Sequence, residues 1–131
     1  MSRVFVIFAP EDYLHFERLT GQARSAKLPV EFDCMHVKQA WVPAWKGQCR
    51  TKVYRCDGAV VLISKHTHQG GIEWELECAR AFGIPMLGIH ADKPASGSVP
   101  EQLGDAEVIE WSWPDIARFI RSLTQDSSAY A

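Results

Sequence analysis

Apolar stretches of strand length alternate with segments of helical periodicity along the whole chain. Arg3–Phe8 (RVFVIF) is β-branched or aromatic on both faces, the pattern of a central strand covered from two sides. Pro10, Glu11 and Asp12 end it, and Asp12 is placed to cap a helix over about Tyr13–Ala26, where Leu14, Phe16, Leu19 and Ala23 recur near helical spacing. Leu28–Phe32 reads as a shorter strand, and Pro29 sets it near a sheet edge. Asp33–Gln48, with Trp41, Pro43, Trp45 and Gly47, has no clear period and reads as a long loop. A helix from about Trp45 to Cys56 follows it.

Gly58–Ser64 (GAVVLIS) is apolar until its last residue and gives way to a polar loop, Lys65–Gly71. The pattern then predicts a helix over Ile72–Phe82, stopped by Gly83 and Pro85. Pro85–His90 is a fourth buried strand, Ala91–Gly104 a Pro/Ser/Gly-rich connection, and Glu107–Trp111 an alternating edge strand. Pro114, at a first helical position, opens a last helix to about Leu123. Residues 1–123 therefore read as one domain, with 124–131 a frayed tail.

The order βαβαβαβαβα predicts an α/β fold, a doubly wound parallel five-stranded sheet between two helical layers. Ligands of such sheets bind at the carboxyl ends of the strands, near the point where strand order reverses. Those ends are Phe8–Asp12, Asp33 onward, Ser64–Gly71 and His90 onward.

One side chain breaks the pattern. At about 100° per residue from Ile72, the apolar arc of the third helix holds Leu76, Ala79, Phe82, Cys78 and Trp74, while Glu73, Glu77 and Arg80 gather opposite. Glu75 falls at about 300°, inside the apolar arc. A carboxylate there is costly unless it is paired, neutral or facing a cleft. Two readings follow: a functional carboxylate at the carboxyl edge of the sheet, or a carboxylate that caps its own helix start.

Composition adds bounds. With 47% hydrophobic and 23% charged residues the chain is an ordinary globular one. Its longest apolar runs, Val4–Pro10 and Ala59–Ile63, fall far short of the ~20 residues of a membrane helix. With no secretion-type leader in the opening residues, a cytoplasmic location is expected, with no membrane partner. The net charge of −2 argues against nucleic-acid binding. Charge is uneven: residues 1–57 carry nine Lys/Arg against six Asp/Glu, and 58–131 five against ten. Five of the basic residues fall between Asp33 and Asp57 with no acid among them, either a solvated helix face or a local field for an anion. Cys34, Cys49, Cys56 and Cys78 show no CxxC spacing, so free thiols are expected. His66-x-His68 has no cysteine pair at a partner spacing, so no metal site is expected.

Common α/β signatures are missing: no GxGxxG follows the first strand, and there is no GxxxxGK[ST] or GxSxG. A phosphoacceptor aspartate is also lacking where the third strand ends in Ile63–Ser64. Instead VFVIFAPED, GAVVLISKHT and WELECARAFGIPMLGIH resemble TIR-like domains, in particular the compact prokaryotic branch related to the Thoeris antiphage sensors. The resemblance covers roughly Arg3–His90 and implies the flavodoxin-like version of the doubly wound sheet. It implies cleavage of the nicotinamide–ribose bond of NAD+, a substrate rather than a bound cofactor, with no separate cofactor. By the same resemblance Glu75 is the catalytic residue, and Phe8, Ala9, Ser64, Thr67 and Trp74 are substrate contacts. Self-association on activation, through the loop carrying Trp41 and Trp45, and a downstream effector that reads a nucleotide product are further implications. Two other readings stay open: a non-catalytic TIR-like interaction module, and a nucleoside deoxyribosyltransferase-like enzyme, which shares the architecture and sets a carboxylate against ribose.

Overall fold

The computed structural model describes residues 1–36 and 41–128, the side chains of 124–128 excepted. Five strands, β1 (Ser2–Ile7), β2 (Val30–Asp33), β3 (Gly58–Ile63), β4 (Met86–His90) and β5 (Glu107–Glu110), form one all-parallel sheet in the order β2-β1-β3-β4-β5. Four helices connect and flank them: α1 (Tyr13–Ser25), α2 (Pro43–Tyr54), α3 (Ile72–Phe82) and α4 (Trp113–Ser128). Two short 3-10 turns, Pro10–Asp12 and Glu101–Leu103, complete the order. The fold is α/β and flavodoxin-like, as the element pattern predicts.

Strand alternation divides the core in two. Phe5, Ile7, Ala59, Val61 and Ile63 point to one face, where Trp45, Cys49 and Val53 of α2 and Ile72, Leu76 and Ala79 of α3 meet them. Val4, Val6, Val60, Leu62, Leu87 and Ile89 point to the other, against Leu19 of α1 and Ile116, Ile120 and Leu123 of α4. Strands with both faces covered must be apolar throughout, and β3 is buried at every position.

Three expectations change. The loop expected over Asp33–Gln48 is shorter, because α2 begins at Pro43, whose fixed φ suits a first helical position. Trp45 therefore sits in a helix and in the core, 5% exposed, while Trp41 is 77% exposed. Residues 37–40 of that loop, with Lys38 of the basic cluster, lie outside the described residues. Asp12 precedes α1 but makes no side-chain cap. The last helix runs to Ser128, since no Gly or Pro follows Leu123 to stop it; residues 129–131 lie outside the described residues. No described helix is long and apolar enough to cross a membrane.

Candidate active site

The chain leaves β1 outward to β2 and then returns past β1 to β3, so strand order reverses between β1 and β3. Here the turn after β1 meets the loop after β3. Asp12, 4% exposed, accepts a 2.5 Å hydrogen bond from Ser64 Oγ. Ser64 Oγ in turn accepts the His66 N–H at 3.0 Å, and the Ser64 N–H donates to Thr67 Oγ1 at 2.7 Å. The Thr67 N–H closes the turn on the Ser64 carbonyl at 3.2 Å. His66 Nδ1 also stands 3.4 Å from Glu11 Oε2. Ser64 and Thr67 are thus buried together, their hydroxyls holding the loop.

That loop delivers α3. Gln69 O accepts the Ile72 N–H, and Gly71 O accepts the Glu75 N–H at 3.1 Å, so Glu75 stands in the first turn. The helical arc is as the spacing predicts: Glu73, Glu77 and Arg80 are exposed, and Glu75 is fully buried with Ile72, Leu76, Cys78 and Ala79. Phe82 departs from it, lying partly exposed against the Tyr54 ring. Gly83 ends α3 at φ 66°, a left-handed turn that glycine takes without a Cβ penalty. Burial pushes the Cys78 thiol up, Cys49 and Arg50 oppose the shift, and Glu75, one turn before it, adds to it.

Trp74, one residue before Glu75, ties α3 to α2. Its indole N–H donates to the Lys46 carbonyl at 3.2 Å, and Lys46 Nζ and Arg50 Cζ lie 4.9 and 5.5 Å from the ring centre. Lys52, in the same basic stretch, turns away to the Cys34 carbonyl and Asp33. Ala9 is fully buried in the layer of Leu76 and Ile72. Phe8 is not brought to that layer: strand alternation sends it to the opposite face, stacked on Phe16 at 4.9 Å.

The connection after β4 closes the edge. Asp92 accepts from Ser96 Oγ at 2.7 Å and lies 3.1 Å from His15 Nε2, while His68 meets Ser98. Among the described residues no group of three or more His, Cys, Asp or Glu is arranged to hold a metal ion. Of the residues that the resemblance implies, Ser64, Thr67, Trp74 and Glu75 lie around one loop–helix junction. Asp12 was not among them: its place beside a strand end suggested a helix cap, which it does not make.

No family model matches the chain, and no curated protein matches it. Solved structures do. A 2-deoxyribosyltransferase from the psychrotolerant bacterium Bacillus psychrosaccharolyticus superposes with a TM-score of 0.65 at 13% identity, over 93% of this chain and 96% of that one. A conserved protein from Enterococcus faecalis V583 gives 0.62 at 17% identity, over 93% and 98%. At such identities the likeness is one of fold. It extends over nearly the full length of both neighbours.

Proposed function

We propose that the chain cleaves an N-glycosidic bond of a nucleoside, on the pattern of a 2-deoxyribosyl transfer, with Glu75 as the catalytic carboxylate. The observation that carries this reading is a fully buried glutamate on the apolar face of α3, in its first turn, at the carboxyl edge of the sheet. As the base departs with the bonding pair, positive charge grows on the anomeric carbon and ring oxygen. A preorganised carboxylate in a dry site stabilises that charge far better than water does. A second base, or water, then takes the sugar. The deoxyribosyltransferase among the structural neighbours supports this substrate class.

NAD+ is the second reading. Lys46 and Arg50, flanking the Trp74 ring one residue before Glu75, favour it, because they offer cations for a pyrophosphate. The same reading keeps the TIR-like resemblance and self-association, for which exposed Trp41 offers a surface. One experiment separates them: the protein is incubated with a deoxynucleoside plus a second base, and in parallel with NAD+, and products are read by mass spectrometry. Base exchange that disappears in Glu75→Gln is the expected result. Nicotinamide release alone selects the second reading. No turnover in either arm at high protein concentration overturns both and leaves the interaction module.

A further inference from the structure

We infer that Asp12 is a positioning residue for Glu75, acting through Ser64 on the loop that launches α3. The inference rests on the reading of Glu75 as the catalytic carboxylate.

A carboxylate buried to 96% of its surface needs a reason to be there. Asp12 does not cap α1, the role its place in the chain suggests. Its partner is the Ser64 hydroxyl, which donates to it at 2.5 Å. Because that hydroxyl donates to Asp12, its lone pairs face the loop, and the His66 N–H uses one of them. The same residue's backbone holds Thr67 from both directions, N–H to Oγ1 and carbonyl to N–H. Asp12 thus fixes the rotamer of one of the two hydroxyl side chains that hold the start of the loop. Glu11 adds a second tie through His66, so two consecutive acids clamp the loop from the β1 side.

The loop is also held by the Thr67 hydroxyl, which donates to the Leu62 carbonyl at 3.4 Å, and by His68 on Ser98. Gly70 and Gly71 are its last residues, and Gly70 takes a positive φ of 43°. Two glycines in a row transmit position only if the segment before them is held. Ile72 and Leu76 stay anchored in the core and Trp74 on Lys46, so release at Ser64 lets the first turn of α3 resettle by a small displacement, and Glu75 with it. A misplacement of about 1 Å at a reacting carboxylate costs on the order of 100-fold in rate.

The test uses Asp12→Ala, Ser64→Ala, the double variant and Asp12→Asn in the intact chain. Both alanine variants are expected to lose about 100-fold in kcat with little change in KM. The double variant should be no worse than the poorer single one, because both cut the same link. Asp12→Asn keeps an acceptor for the Ser64 hydroxyl and should recover most of the loss, with an unchanged pH–rate profile. An Asp12→Asn variant as poor as Asp12→Ala, with one limb of the profile missing, would mean that Asp12 itself handles substrate, and overturns the inference. So do additive losses.

Amide hydrogen exchange gives a readout that needs no substrate. The amides of His66, Thr67 and Glu75 should exchange about tenfold faster in both alanine variants and not in Asp12→Asn. Unchanged exchange refutes the inference even if activity falls. If the wild-type chain turns over neither substrate, the proposed function fails and exchange alone decides the role of Asp12. Where Asp12→Ala does not fold, Ser64→Ala carries the same comparison.

Discussion

Gly97 lies against the backbone of Ser64: a Cβ added to it would stand 2.0 Å from the Ser64 carbonyl oxygen. Gly97 also holds φ at +80°, so the position excludes side chains twice over. The connection after β4 thereby presses on the residue that Asp12 holds from the β1 side. His15–Asp92 and His68–Ser98 fasten the same connection before and after Gly97.

Replacing Gly97 by alanine should therefore cost at least about 2 kcal/mol, the sum of a strained φ and a clash with backbone that cannot swing away. Chemical denaturation measures it. Gly47→Ala, in an exposed helix interior where a Cβ meets nothing within 4 Å, should instead raise stability by up to about 1 kcal/mol.

The two tryptophans of the α2 region should part company. Trp45→Ala empties a core position shared with Cys49 and Val53 and should cost about 3–5 kcal/mol. Trp41→Ala should change stability by less than about 0.5 kcal/mol. A concentration series of the Trp41 variant in analytical ultracentrifugation shows whether that exposed ring joins copies of the chain.

The Cys56 thiol should contribute to the loss of stability at alkaline pH. Burial pushes the Cys56 thiol up to about 12, Asp33 adds to this, Arg3 opposes it and Asp57 adds again. An unfolded chain ionises the same thiol near 9.0, so the stabilisation is complete below that pH and fades as pH rises through 9.0 toward about 12. Denaturation midpoints should fall with pH over that window, less steeply in Cys56→Ala. All four thiols are buried and outside any disulfide, so Cys78 should also resist alkylation until the chain unfolds.

Asp92 should titrate low. The Ser96 hydroxyl lowers its pKa most, burial opposes, and His15 lowers it further. A carboxylate depressed in the fold contributes stability above its ordinary pKa, and that contribution is lost as pH falls through the folded value. With a third of Asp92 exposed, solvent screens the effect, so the check is its carboxyl carbon shift by NMR. Ser96→Ala and His15→Gln should each move that titration upward.

The sheet was legible because parallel strands covered on both faces read as unbroken apolar runs, as β1 and β3 do. Glu75 was legible because three turns of α3 give enough spacing to show one polar residue on an apolar arc. Leu14 was misleading: it joins the spacing of Phe16, Leu19 and Ala23 only loosely, and it lies 76% exposed on the far side of α1. Trp45 was hidden because α2 mixes Lys46, Gly47 and Gln48 into its first turns and so lacks a clean period. The role of Asp12 had no local signature at all. A hydrogen bond between residues 52 apart leaves no periodicity to read.

That separation has a consequence during synthesis. The hydrogen bond from Ser64 to Asp12 closes a 52-residue interval, and Gly97 must arrive later still to seat on the Ser64 carbonyl. Closing such an interval carries an entropic cost that only strand pairing of β3 on β1 offsets. A nascent chain that has emerged only as far as β2 holds Asp12 but none of its partners. Competence of the Glu75 junction is therefore a late event on the ribosome, reached only after the order β2-β1-β3 has formed.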